Sequence, residues 1–228
     1  MKILITNDDG IYADGLIRLA TAAKKFGEVY IVAPHDQRSA VSHSITLRHS
    51  FEAWKENFPV EGVHAYACNG TPADCIRIGV LNIVKGKPDY IFSGIDLQYS
   101  ATVGAAFEGA FQNVPSIAFS EDATECHEIA DHYLHSVIEE LLKEAPGKNY
   151  IWNVNFPGCH LSECGGILRN RSVSAAEFFI DCYHETALPN GHTSYMVEGI
   201  RNYTAEEGSD LHAIFNNYVS IGKVKNFM

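Results

Sequence analysis

The first 34 residues leave this chain little choice of architecture. Lys2-Ile3-Leu4-Ile5-Thr6 is an apolar, β-branched run that stops at Asn7-Asp8-Asp9-Gly10, and a 3.6-residue stripe follows through Leu16, Leu19, Ala20 and Ala23 to Phe26-Gly27. A second apolar run, Glu28 to Ala33, ends at Pro34. Strand, helix and strand in so short a span make a βαβ unit, and its strands are parallel because the helix is the crossover. Parallel pairs need cover on both faces, so the opening predicts a doubly wound α/β sheet.

The same alternation continues. Residues 41–67 lack helical periodicity and read as an irregular or short-stranded insertion. Thr71-Pro72-Ala73-Asp74 then supplies an N-cap, a proline at the first helical position and an acid three residues on. Strands are expected over Asp89–Gly94, Ser116–Ser120 and Tyr150–Phe156, with helices from about Ser100 to Gln112 and from about Thr124 to Lys143 between them. After Pro157-Gly158 the pattern turns to short β segments and loops. The chain therefore divides into an α/β core over residues 1–157 and a β-containing extension over 158–228. That extension is too small and loop-rich for a core of its own, and is expected to pack on the parent domain or on another subunit.

Composition excludes several classes. Of 228 residues 46% are hydrophobic and 20% charged, an ordinary globular mix. The formal charge of −11 repels polyanions, so long nucleic acid is not the expected partner. No stretch approaches ~18 consecutive apolar residues, and no signal-peptide architecture precedes the first strand; no membrane partner and a cytoplasmic location are expected. Without an export signal, the six cysteines are expected to be reduced thiols. Cys159-His160 with Cys164 has the look of half a zinc site, but no second half follows at ligand spacing.

In an open α/β sheet, ligands bind beyond the carboxyl ends of the strands. Those positions hold Asn7-Asp8-Asp9-Gly10, His35-Asp36-Gln37-Arg38-Ser39, and Ile95-Asp96. Adjacent carboxylates on a strand-end loop repel one another unless a cation compensates them, although a helix N-cap followed by an acid in the first turn is an equally ordinary use. Oxygen ligands from Asp8, Asp9, Asp96 and a hydroxyl suit Mg²⁺, Mn²⁺ or Ca²⁺. Tyr99-Ser100-Ala101-Thr102 opens a helix just after Asp96, where free N–H groups favour an anion. Metal carboxylates facing a helix N-terminus suggest phosphate-ester chemistry. Neither a Walker motif nor G-x-G-x-x-G occurs.

TNDDG at 6–10, VAPHDQRSAVSHSITL at 32–47, NGTPADCIRIG at 69–79, PDYIFSGID at 88–96, YSATVGAAFEG at 99–109, NVNFP at 153–157 and SDLHAIFNNYVSI at 209–221 together resemble the SurE family of metal-dependent 5′-nucleotidases, also described as acid phosphatases. The resemblance runs nearly end to end. It implies a Rossmann-like, three-layer α/β sandwich with a mostly parallel sheet, and a C-terminal extension exchanged between subunits of a homodimer or homotetramer. It implies hydrolysis of nucleoside 5′-monophosphates and of other small phosphomonoesters in some members. One divalent ion per subunit would fall on Asp8, Asp9, Ser39 and Asp96, and phosphate contacts on Asn7, Ser39, Ala40, Ser100, Ala101 and Thr102. Asp8 or Asp9 would accept the proton of the attacking water, a covalent phosphate on Asp8 being a variant.

Three departures accompany the resemblance. The loop at 96–99 is shorter than usual in the family, Asp96 stands where the family has an asparagine, and alanine replaces glycine at 40 and 101. A homologue that binds metal and nucleotide with little turnover is therefore the alternative. A phosphoacceptor receiver domain also places paired acids after its first strand, but is nearer half this length and needs an acceptor aspartate and a lysine not found near Asp96.

Overall fold

A computed structural model describes residues 1–97 and 101–226, without the side chain of Leu97. The elements are β1 (Lys2–Thr6), α1 (Asp14–Ala23), β2 (Glu28–Pro34), β3 (Ala53–Lys55), β4 (His64–Cys68), α2 (Pro72–Ile78), β5 (Tyr90–Leu97), α3 (Thr102–Phe111), β6 (Ser116–Glu121), α4 (Glu128–Leu141), β7 (Tyr150–Phe156), β8 (Gly166–Arg169), β9 (Phe179–Ala187), β10 (Thr193–Arg201), α5 (Asp210–Phe215) and β11 (Tyr218–Lys225). Nine strands form one sheet in the order β3-β4-β2-β1-β5-β6-β7-β11-β8. The run from β4 to β7 is parallel throughout, while β3 and β11 join it antiparallel. The mostly parallel α/β sandwich expected from the first strands is present.

Alternation along β1 shows how the layers are built. Ile3 and Ile5 pack with Leu16 and Leu19 of α1 and with Ile129, Leu134 and Ile138 of α4. Leu4 points the other way, onto Cys75 and Ile76 of α2 and Ala105 of α3. Fully buried Phe92, Phe119 and Phe156 stand on neighbouring strands, Phe92 meeting Phe119 edge-on at 5.6 Å. Burying each such ring stabilises by roughly 2–3 kcal/mol, which anchors the strand ends that carry the site.

Some elements differ from the spacing-based expectation. Within 41–67, β4 is a full member of the main sheet, parallel to β2; its HAYAC sequence has too few β-branched residues to announce it. Helix α4 begins at Glu128 rather than near Thr124, because the preceding residues are held in a loop by Thr124 Oγ against Gly158 O and by the Arg201–Asp122 ion pair. Asp96 is no loop residue: β5 runs on past a register shift between Ser93 and Asp96 and pairs Asp96 with Ser120 of β6. The capping box at Thr71 and Asp74 forms as its sequence predicts.

Beyond residue 157 the strands are shared between two sheets. β8 and β11 extend the main sheet, whereas β9 and β10 pair only with each other in an antiparallel hairpin. Ile180, Tyr183, Tyr195, Met196, Val197 and Ile200 of that hairpin are exposed.

Candidate metal and phosphate site

The chain leaves β1 through α1 toward β2 on one side, while β5 pairs with β1 on the other. The crevice between the carboxyl ends of β1 and β5 is thus the topological switch point of the sheet. The loop after β1 is shaped by Gly10, whose φ of 104° favours glycine, and by Asn7, whose Nδ2 donates to Gly10 O at 2.8 Å. It is stitched to the loop after β2: Ile11 N–H donates to Pro34 O at 2.8 Å and Arg38 N–H to Asp8 O at 2.6 Å. On the other side Gly94, with φ of 124°, lets β5 approach β6 so closely that a Cβ there would lie 2.1 Å from Phe119 O. Two residues further along β5, past the register shift, Asp96 pairs with Ser120 of β6.

Carboxylate oxygens of Asp8, Asp9 and Asp96 all lie within 4.8 Å of one another. Asp8 and Asp96 are buried, and Asp9 is partly exposed. Asp8 Oδ2 accepts the Ala101 N–H at 2.6 Å, and Asp96 Oδ2 accepts the Thr102 hydroxyl at 2.5 Å. Their other oxygens, Asp8 Oδ1 and Asp96 Oδ1, meet no donor from the rest of the described residues. Burial, then the charges of Asp8 and Asp9 against the pull of Thr102, lift the Asp96 carboxyl well above the usual range. Burial raises Asp8 too, opposed by the Ala101 N–H and by Asp96. Two buried acids facing each other this way share a proton unless a cation replaces it. The residues present fit a hard divalent ion: an all-oxygen set, two of its three carboxylates buried, with an oxygen on each of those two lacking a donor.

Ser39 stands beside this cluster. Its Oγ is 3.5 Å from Asp9 Oδ1, and Gln37 Nε2 donates to both, at 3.1 Å to Asp9 and 3.0 Å to Ser39. Gln37 thus links Asp9 to Ser39, a contact the motifs did not single out, since only the folded loop shows what it touches. The segment after Ser39 is clamped onto α2 and α3: Thr46 donates twice to Asp74, Thr71 Oγ donates to Ser44 O, and His43 Nε2 lies 3.0 Å from Glu108. Burial would raise Glu108, but His43, Gln112 and Arg77 outweigh it and hold its carboxyl below the usual range. Ala40, next to Ser39, is exposed and has a left-handed φ of 61°. Ala101 has φ −80°, which alanine adopts freely, so its lost glycine costs the backbone nothing.

Among the residues expected to meet phosphate, Ser39 lies beside Asp9 with exposed Ala40 next in the chain, Asn7 is buried as a turn-former, and Ala101 and Thr102 direct an N–H and a hydroxyl to Asp8 and Asp96. Ser100 lies outside the described residues. A family model described as Survival protein SurE matches residues 3–176. The chain belongs to the SurE family. Two relatives of the same kind are 5′-nucleotidase SurE of Alkaliphilus metalliredigens, 36% identical over 97% of this chain and 91% of its own, and 5′-nucleotidase SurE of Thermosipho melanesiensis, 35% identical over 100% and 92%. The crystal structure of SurE protein from Aquifex aeolicus superposes with a TM-score of 0.83 at 30% identity, covering 100% of this chain and 95% of that one. For a SurE chain, the switch-point crevice is the place to look for chemistry, and its three converging carboxylates stand there.

Proposed function

We propose that this SurE-family protein is a divalent-metal-dependent phosphomonoesterase that hydrolyses nucleoside 5′-monophosphates. The observation that carries it is the convergence of Asp8, Asp9 and Asp96 within 4.8 Å at the switch point, with a buried oxygen on each of two of them left without a donor. Family membership and two relatives named 5′-nucleotidases agree with that chemistry. Activity on other small phosphomonoesters, of the acid phosphatase kind, belongs to the same proposal.

Asp8, Asp9, Asp96 and the Ser39 hydroxyl would hold one Mg²⁺, Mn²⁺ or Ca²⁺ ion, which when bound supplies Lewis-acid polarisation of the phosphate. The chain's own groups do the rest. Ala101 N–H and Thr102 Oγ orient the two buried carboxylates, and the positive end of the α3 dipole faces the anion. Ser39 and Ala40 border the phosphate on the open side. Asp9 is the carboxylate that solvent reaches, so it is the better placed to take a proton from the attacking water, while Asp8 stays engaged below it.

Residues 1–157 form the catalytic core in this proposal, and 158–228 the oligomerisation extension. The exposed apolar residues of the β9–β10 hairpin support a homodimer or homotetramer. No helix among the described residues is long and apolar enough to cross a membrane. A cytoplasmic location belongs to the same proposal. The relatives named 5′-nucleotidases give binding without turnover no support; of the two alanines that replace glycine, Ala101 is unstrained and Ala40 is left-handed.

The test is phosphate release from a panel of nucleoside 5′-monophosphates and an aryl phosphate, with Mn²⁺ or Mg²⁺ and with chelator. Metal-dependent release that falls at least ~100-fold in Asp8→Asn is expected. Release indifferent to metal and to Asp8→Asn would refute the proposal.

A further inference from the structure

Away from the carboxylate crevice, the loop between β6 and α4 runs beside the segment that follows β7. Thr124 Oγ lies 3.4 Å from Gly158 O, and the Cys126 thiol donates to Cys159 O at 3.1 Å. This pairing brings Cys126 Sγ to 3.9 Å from His160 Nδ1, which is itself 2.9 Å from Glu128 Oε1. One ligand atom from each of Cys126, Glu128 and His160 lies within 4.8 Å of the others. Cys159-His160 with Cys164 offers no second half at sequence spacing. The partners that answer His160 lie upstream, just before and at the first residue of helix α4, and the parallel order of β6 and β7 sets the two segments together.

We propose that Cys126, Glu128 and His160 form a second metal site, selective for zinc over Mg²⁺, Mn²⁺ and Ca²⁺ and distinct from the carboxylate site of the hydrolase. Zinc–sulfur bonds of about 2.3 Å and zinc–nitrogen or zinc–oxygen bonds of about 2.0 Å place tetrahedral ligands roughly 3.3–3.5 Å apart. The observed separations of 3.9 and 2.9 Å bracket that range, and the third, from Cys126 Sγ to the Glu128 carboxylate, is within 4.8 Å, so side-chain shifts of up to about 1 Å seat the ion. A thiolate, a carboxylate and a neutral imidazole carry two negative charges, which one divalent ion neutralises. Sulfur and imidazole select zinc over Mg²⁺, Mn²⁺ or Ca²⁺, whereas the oxygen-only set of Asp8, Asp9 and Asp96 selects the reverse.

The ligands are also held from behind. Glu128 Oε2 accepts the Leu161 backbone N–H at 2.9 Å, and the backbone N–H of His160 donates to Glu163 Oε2 at 3.0 Å. Such outer contacts orient ligands before the ion arrives. With the His160 and Glu128 side chains 67% and 52% exposed, water completes the coordination. An ion there ties the start of α4 to the root of the extension, bridging the loops that leave β6 and β7.

The test uses full-length protein stripped with chelator and kept reduced. Zinc is titrated by indicator competition under saturating Mg²⁺, and Co²⁺ is substituted to read the thiolate-to-cobalt charge-transfer band. One zinc per chain and a cobalt–thiolate band are expected. Zinc affinity should fall on the order of 100-fold in Cys126→Ser and in His160→Ala, and hold in Asp8→Asn and in the control Cys182→Ser. His160 is exposed enough for its variant to fold even where Cys126→Ser does not. Absence of the band, zinc affinity unchanged in His160→Ala, or zinc lost only in Asp8→Asn would each overturn the proposal.

Discussion

Asp96→Asn isolates the electrostatic cost of the crevice. In metal-free protein, burial and then the neighbouring charges hold the Asp96 carboxyl well above its ordinary range. A raised folded-state pKa stabilises below the unfolded value of about 3.9, and that stability is lost as pH climbs toward the folded value. Between the two, the native state binds one proton more than the unfolded chain, and unfolding free energy drops by about 1.4 kcal/mol per pH unit. From pH 4 to 7 the loss is at most about 4 kcal/mol. At the 4.8 Å limit of the cluster, two like charges repel by about 3.5 kcal/mol at an effective dielectric of 20, so keeping the proton and ionising against Asp8 cost similar amounts. Asparagine keeps the shape and removes the titration. In chelator, urea unfolding from pH 4.5 to 8 should show the variant gaining on the wild type with rising pH, by up to about 4 kcal/mol near pH 7. At about 2–4 °C per kcal/mol for a chain of this size, that is a Tm gap of up to about 8–16 °C. Saturating Mg²⁺ or Mn²⁺ should close the gap, since the wild type has the additional negative ligand to offer. Parallel pH curves for the two proteins in chelator would refute the reasoning.

Ala40→Gly should stabilise. A left-handed alanine costs about 1–2 kcal/mol, and glycine returns about 0.4–1 kcal/mol of that through the unfolded chain, leaving a net gain of about 0.5–1 kcal/mol by thermal melting. A lower Tm would show that the loop around Ser39 wants the Cβ. Gly94→Ala should cost about 3–5 kcal/mol, because its Cβ would sit 2.1 Å from the Phe119 carbonyl at a φ of 124°. Denaturant midpoints read this, and metal affinity should fall with them as Asp96 is displaced; an unchanged midpoint would mean that β5 has room to move.

Local chemistry made much of the fold and part of the site legible. The capping box at Thr71 and Asp74, the stripe from Leu16 to Ala23 and the parallel-strand runs depend on neighbours a few residues away, so they can be read along the chain. Asp8 and Asp9 were visible because two adjacent acids at a strand end need compensation. The weak strand β4, the extension of β5 beyond Gly94 and the late start of α4 were not, since each is decided by packing against a distant segment rather than by its own period.

What the sequence determines by itself is the order of the strongly patterned strands and helices and the ligand types they carry, because periodicity, capping and charge act over short distances. Which of those ligands meet is a tertiary decision. Asp8 receives its hydrogen bond from Ala101, 93 residues away, only because β1 and β5 are neighbours at the point where the chain reverses its direction across the sheet. Cys126 reaches His160 only because β6 lies beside β7. The physical reason is the same in both cases: sheet order places strand ends side by side whatever their separation along the chain, and the side chains there then find partners that no local spacing encodes.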